Sequence, residues 1–277
     1  MNLQNSRIMK TQRQASAMTA AEAHNTPYFY TRLLAALERV SSFHPYKTSV
    51  LGKIGAFDFY FCAPARPDPQ KKNLLIAGGI HGEEPAGSWG IVAFLETATA
   101  EEISAANISF LPLVNPTGFN VNRRHNDWDE DPNQGYDGSG KPPLPREGAL
   151  MIQHLDALKA ASTHGLLSLH EDTDMKEGYL WSYEPQNTAG PFTKGMLQVL
   201  EDSFGLYHGK VEHRGSYIPM PEGYGLNVMD NSFESLLLKN GTPYCATTET
   251  PAHADVPLAR RMDCCERLVR KFIDLLK

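Results

Sequence analysis

The sequence predicts an α/β protein, a three-layer α/β/α sandwich around a mixed, largely parallel central sheet. Three observations predict it. A short apolar run at 74–77 and two largely apolar segments at 108–114 and 165–169 read as buried strands. They alternate with segments whose apolar residues recur at helical spacing, the pattern of α/β architectures. No linker-like segment divides the 277 residues, so a polar N-terminal extension over 1–26 and one domain over 27–277 are expected.

Residues 27–43 carry Tyr28, Leu33, Leu34, Ala36, Leu37 and Val40 at helical spacing. Residues 48–63 read as a β-hairpin: Val50 and Leu51 lead in, 52–55 turn, and 57–62 are rich in aromatics. A polar loop with three prolines fills 64–72. The strand at 74–77 breaks at Gly78-Gly79, and Pro85 suits the first turn of a buried helix over 85–96. After a polar connection at 98–106, the strand at 108–114 stops at Asn115-Pro116-Thr117-Gly118, a strong turn signal. Residues 120–145 are polar and aperiodic, and a stretch that long is usually functional or disordered. A helix follows at 147–161, with Met151, Ile152, Leu155 and Leu158 on one face. The strand at 165–169 ends at His170. Beyond it come a helix at 189–204, a glycine- and proline-rich loop at 206–230, a segment at 231–238 that fits no single pattern, a strand at 242–250 and a closing helix at 256–276.

Composition narrows the function. The hydrophobic fraction is 41% and the net charge −6, with a pI near 5.9. No basic stretch points to nucleic acid, and no apolar run of about 18 residues points to a membrane span. The first 23 residues lack the apolar segment of a secretory signal. Cys62, Cys245, Cys264 and Cys265 show no CxxC spacing. Reduced thiols in a cytoplasmic protein are expected, with Cys62 and Cys245 in the core.

The candidate chemistry begins at His81 and Glu84, three residues apart in the turn that closes the strand at 74–77. Ligands bind at the carboxyl ends of strands in open α/β sheets. A close imidazole–carboxylate pair plus a distant third ligand is how catalytic zinc is typically held. The same turn also suits a carboxylate favoured by a helix dipole. His170 ends a strand in the same way, 86 residues after Glu84, and beside the His81 turn it completes a three-ligand metal site. Arg124, in Arg124-His125-Asn126, can stabilise an oxyanion or pair with the acids at 127–131. Glu249 closes an apolar run and can move a proton near a metal, or sit solvated at a strand end. Asp127, Asp129 and Asp131 alternate as in a calcium loop, but Pro132 stands where that loop needs glycine.

Together these residues resemble the carboxypeptidase A-like zinc metallopeptidases, a group related to peptide amidases and to the aspartoacylase and succinylglutamate desuccinylase deacylases. The ordered set is HxxE, Asn-Pro-x-Gly, Arg-x-Asn, a strand-ending histidine and a late glutamate, spanning residues 74–249. The resemblance implies a phosphorylase/hydrolase-like sheet. It implies one zinc ion per chain on His81, Glu84 and His170, with Glu249 as general base and Arg124 as the electrophilic arginine. The His2Glu ligand set is that of carboxypeptidase A itself. Asp131 and Asn133 match the family's next motif, but Gln134 stands where the family has the arginine that pairs with the substrate's C-terminal carboxylate. A neutral amide cannot make that bidentate, charge-assisted contact. Arg123, Lys141, Arg146 or Arg214 can substitute from another loop; otherwise the substrate lacks a carboxylate there. Tyr224 or Tyr217 is expected to cap the substrate, and Asn133, Gln134 and Tyr224 are the expected substrate contacts.

The implied function is zinc-dependent hydrolysis of a peptide or amide bond in the cytoplasm, without nucleic-acid or membrane partners. Gln134 motivates an alternative: an amidase or N-acyl amino acid deacylase acting on acylated amino acids. A non-catalytic binding protein on the same scaffold is the third reading, and the intact set of candidate site residues argues against it.

Overall fold

The computed structural model describes residues 18–277 and begins with a one-turn helix, α1 (Ala20–Ala23). The N-terminal extension expected over 1–26 lies outside the described residues as far as residue 17.

Period-two alternation along the strands builds two cores back to back. On β3 (Asn73–Gly78), Leu74 and Ile76 enter one core while Leu75 and Ala77 enter the other. On β4 (Asn107–Leu111) and β5 (Gly165–Asp172), Ile108, Phe110, Leu167 and Leu169 join the first core, and Leu111 and Leu166 the second. Four helices close the first core: α2 (Thr26–Ser41), α3 (Pro85–Thr97), α8 (Pro191–Phe204) and α10 (Leu258–Leu276). Short helices close the second through Met151, Leu158, Phe233 and Leu237, on α6 (Arg146–Gln153), α7 (Leu155–Ala161) and α9 (Phe233–Lys239). The result is the expected three-layer α/β/α sandwich.

The remaining strands of the main sheet are β1 (Tyr46–Ile54), β2 (Phe57–Pro64), β6 (Tyr179–Tyr183), β9 (Tyr224–Leu226) and β10 (Cys245–Pro251). The eight-stranded order is β1-β2-β4-β3-β5-β10-β6-β9. The centre is parallel, with β4, β3, β5 and β10 side by side; β1, β2 and the β10–β6 step are antiparallel. Parallel pairing aligns the carboxyl ends of β3, β5 and β10 on one edge, Gly78 opposite Leu169 and His170 opposite Glu249. Among the described residues no helix is long and apolar enough to cross a membrane. All four cysteines are buried free thiols.

Several expected elements differ, each for a local reason. The first hairpin turns at Gly55-Ala56, not across 52–55, and Gly52 belongs to β1 beside a bulge that leaves Leu51 out of the ladder. The helix expected over 147–161 breaks at His154, whose Nε2 donates to that unpaired Leu51 carbonyl (3.0 Å). Ile152 consequently faces solvent. The connection at 98–106 contains α4 (Ala100–Ser104), started by a Thr99/Glu102 capping box. The expected strand at 108–114 stops at Leu111, and α5 (Pro116–Asn120) follows the Asn115 turn. β5 runs on to Asp172, so His170 lies inside a strand and not at its end. β6 was not visible in the sequence pattern. The 206–230 loop holds β9 and a separate hairpin, β7 (Lys210–His213) with β8 (Ser216–Pro219). Its four-residue strands are too short and too exposed to show a period. The ambiguous 231–238 segment is α9, capped by the Ser232 hydroxyl.

At the parallel edge the chain reversals touch backbone to backbone. A Cβ on Gly82 would lie 2.1 Å from the Gly118 carbonyl carbon and 2.2 Å from the Phe119 nitrogen. Backbone atoms cannot rotate away as a side chain can. Gly82→Ala is therefore expected to force the two turns apart and destabilise the protein by about 1–3 kcal/mol or more. Denaturant unfolding of the variant checks this; an unchanged midpoint would contradict the contact.

Candidate metal centre and its cleft

Two turns and one strand build the centre. After β3, Gly79 takes a left-handed backbone (φ 61°) that an L side chain rarely adopts. Val114 and Asn115 donate their N–H groups to the Gly78 and Gly79 carbonyls (3.1 and 2.8 Å), locking the reversal that presents His81 and Glu84. His170 arrives from β5, the strand next to β3. All three side chains are buried. His81 Nδ1 lies 2.6 Å from Glu84 Oε1, and His170 Nδ1 lies 2.9 Å from Glu84 Oε2. One carboxylate thus bridges two imidazoles, and the three ligand atoms lie within 4.8 Å of one another.

The electrostatics follow from that packing. Burial alone would raise the Glu84 carboxyl, but the His81 and His170 rings outweigh it and hold it well below the usual carboxylate range. Burial opposes protonation of His170, yet Glu84 and Glu234 push its pKa well above the ordinary histidine value. These directions describe a set of groups that favours positive charge at its centre. A divalent cation on the same three atoms would answer the same demand.

Glu84 heads α3 but makes no capping bond, because its carboxylate is turned to the histidines. Glu171 takes over: its Oε2 accepts from Ala86 N (2.6 Å), and Arg261 of α10 pairs with its other oxygen.

A second layer holds the histidines. His170 Nε2 lies 3.2 Å from Glu234 Oε1, and Ser168 Oγ donates to the same oxygen (2.5 Å). His81 Nε2 lies 3.3 Å from Asp131 Oδ1, an ion-pair distance without hydrogen-bond alignment. Such outer carboxylates fix the orientation and basicity of ligating imidazoles. Glu234 was missed from the sequence. Its one signal is an acid set in the apolar run Phe233-Glu234-Ser235-Leu236-Leu237-Leu238.

Arg124 stands over the cluster, its Nη1 3.6 Å from Glu84 Oε1 and its Nη2 3.5 Å from Asp131 Oδ2. Gly82 N and Asn115 Nδ2 both donate to its carbonyl (3.3 and 2.9 Å), so the Asn-Pro turn positions the arginine. Glu249 on β10 sits in register with His170 and is half-buried. Burial pushes its carboxyl well above the usual range; His170 pulls it down, and Glu84 and Asp172 push it further up.

These groups share a cleft of about 630 Å³. Asn133 and Gln134 line it. The Asn133 side chain accepts from Phe233 N at the start of α9 (3.0 Å), and the Gln134 amide donates to Asp131 Oδ2 (2.8 Å). Tyr224 and Tyr217 do not line the cleft. Tyr224 points from edge strand β9 into the first core while Gly225 faces Trp181, and Tyr217 stands 70% exposed on β8. The aromatic residues that do line it are Tyr179, Trp181 and Tyr183, all on β6.

Comparison with known proteins places this geometry. The sequence profile of the succinylglutamate desuccinylase/aspartoacylase catalytic domain matches residues 70–175. A crystal structure from Shewanella denitrificans OS217, described provisionally as a metallopeptidase, is 33% identical, with a TM-score of 0.84 over 92% of this chain and 91% of that one. A similarly described protein from Shewanella amazonensis SB2B is 31% identical, with a TM-score of 0.84 over 92% of this chain and 94% of that one. A metallo-carboxypeptidase from Burkholderia cenocepacia shares the fold at 15% identity, with a TM-score of 0.62 over 87% of this chain and 67% of that one. No curated protein matches the chain.

The 126–147 segment walls one side of the cleft and is tied down by a buried acid. Asn126 Nδ2 donates to Glu147 Oε2 (2.8 Å), while Glu147 Oε1 has no partner. Burial pushes the Glu147 carboxyl up to about 7. A folded-state pKa above the unfolded value means the folded protein holds the proton more tightly. Stability from this residue is full below about 4.5 and is lost as pH rises toward 7, by roughly 3 kcal/mol. Glu147→Gln keeps an acceptor for Asn126 and removes the titration. Urea unfolding across pH 4–8 is expected to show wild type losing stability relative to the variant as pH rises; parallel curves would contradict the assignment.

Proposed function

The chain belongs to the family of the Shewanella proteins described as metallopeptidases, and we propose that it is a carboxypeptidase A-like, zinc-dependent hydrolase of a peptide or amide bond. The observation that carries the reading is the bridged His81–Glu84–His170 cluster at the carboxyl edge of the sheet. The donor set fits the ion. Two imidazole Nδ1 atoms lie 2.6 and 2.9 Å from the oxygens of one carboxylate, and that mixture of nitrogen and oxygen ligands suits zinc. One zinc ion on these residues would supply Lewis acidity and lower the pKa of water near 7.

The chain's own residues do the rest. Glu249 accepts the proton of the attacking water and returns it to the leaving nitrogen. Arg124 offers its guanidinium to the oxyanion that develops as water adds to the carbonyl, a contribution of roughly 3–4 kcal/mol to the barrier. Asp131 keeps Arg124 and His81 in mutual register. Glu234 holds the His170 ring with Nδ1 toward the centre.

A second reading, an amidase or N-acyl amino acid deacylase, is favoured by the desuccinylase/aspartoacylase profile over 70–175 and by Gln134. Assaying acylated amino acids beside peptides with free carboxyl termini separates the two by which series is turned over.

Metal analysis and two variants test the proposal. The purified protein is expected to carry about one zinc per chain, with His170→Ala losing most of it. Failure to take up zinc after reconstitution would overturn the reading. Glu249→Gln is expected to keep the metal and lose turnover by at least about 100-fold; full activity would remove Glu249 from the role of base. Glu234→Gln is expected to weaken metal binding about 10–100-fold, read by competition with a chelator.

A further inference from the structure

The cleft is strongly acidic, yet one of its walls presents an arginine that the metal centre does not use. Carboxylates outnumber arginines several-fold among the lining residues. Among the described residues that line the cleft, the arginines are Arg124 and Arg214, and there is no lysine. Arg124 already faces Glu84 and Asp131. The other cations near this part of the sequence are spent elsewhere: Arg123 bonds the Asn126 carbonyl, and Arg146 stacks on Trp128 and pairs with Glu130. Neither these two nor Lys141 lines the cleft.

Arg214 is held as a binding group is held. It forms the tip of the β7–β8 hairpin, where Arg214 and Gly215 make the whole turn with φ of 54° and 79°. Two-residue hairpin turns with both residues left-handed favour asparagine or glycine first. Arginine there breaks the local rule, and such departures concentrate at functional positions. Its Nε lies 3.3 Å from Asp230 Oδ2, and its Nη2 donates to the Asn133 carbonyl (3.0 Å). Asp230 is itself fixed by Ser232 N (2.9 Å) and Ser235 Oγ (2.8 Å) at the start of α9. His213 Nε2 also approaches Asp230 Oδ2 (3.3 Å), and the His213 ring packs on Trp181 (4.6 Å). The segment from Asp131 to Asn133 thus runs from the His81 and Arg124 contacts to the Arg214 contact. Gln134, the neutral residue in the family's arginine position, is the next residue along the chain.

We propose that Arg214 receives a free carboxylate of the substrate, taking over from the β7–β8 hairpin the role that Gln134 cannot fill. Arg214 is the one described lining arginine that does not face Glu84 and Asp131, so the substrate carries one carboxylate at that end and little further negative charge. A guanidinium with one edge tied to Asp230 and Asn133 keeps its remaining N–H groups for a charge-assisted contact. The inference rests on the hydrolase reading for its catalytic part, while carboxylate binding is measurable without turnover.

Matched probes test it: N-acetyl dipeptides and N-acetyl amino acids, each as the free carboxylate and as the carboxamide. The zinc-loaded wild type is compared with Arg214→Ala, Arg214→Gly and Arg214→Lys. Glycine relieves the left-handed backbone, so that variant is expected to fold even if alanine does not. Wild type is expected to favour the carboxylates at least about tenfold in kcat/KM. Arg214→Gly is expected to lose about 10–100-fold on the carboxylates, as KM, with carboxamide rates within about twofold of wild type. Arg214→Lys is expected to recover part of the loss. A purely structural role for Arg214 would lower both members of each pair alike and would overturn the proposal, as would a wild type indifferent to the carboxylate. If neither member is hydrolysed, calorimetric binding of the same probes decides. Carboxylate-selective binding that vanishes in Arg214→Gly supports the assignment, and its absence in wild type overturns it.

Discussion

The Glu84 carboxylate, buried between the imidazoles of His81 and His170, is the interaction on which the rest of the site depends. A buried carboxylate costs several kcal/mol unless it is paired, and here each oxygen faces one ring. The pairing joins a turn after β3 to the middle of β5, so it holds only while those strands keep their register. It also draws Glu84 away from the helix it begins. Glu171 caps that helix in its place and is neutralised from the far side by Arg261. The closing helix α10 is thereby coupled to the His81–Glu84–His170 cluster through one buried acid.

Around the cluster, polarity is arranged in layers. Glu234 and Asp131 stand behind the two histidines, and Arg124 stands in front, its backbone fixed by Gly82 and Asn115. Parallel strands allow this because their carboxyl ends lie side by side, and loops leaving that edge converge on one point. Glycine at position 82 is the geometric condition for the convergence, since the His81 turn and the Asn-Pro turn touch through backbone alone. The two arginines of the cleft then occupy different places, Arg124 against the ligands and Arg214 at the tip of a hairpin beyond the Asn133 wall.

Sequence by itself determined what local patterning can carry. Largely apolar segments marked the central strands β3, β4 and β5, because a strand covered on both faces shows little polar alternation. His81, Glu84, Arg124, His170 and Glu249 stood out because each follows or ends such a run or a strong turn signal. Tertiary structure decided what depends on partners distant in the chain. His154 breaks a helix only because Leu51 is left unpaired in a bulge about a hundred residues away. Glu234 sits in a segment of ambiguous pattern and gains meaning only when β5 brings His170 beside it. Tyr224 had the right spacing from Glu249, yet the alternation of edge strand β9 turns it toward the helices. Arg214 was one of four cations that could face the cleft, and the four-residue strands that aim it are too short and exposed to be legible in advance. Ligand types and spacing are local chemistry; which face a side chain takes, and which charge meets which, is settled by the packing of strands and hairpins far apart in sequence.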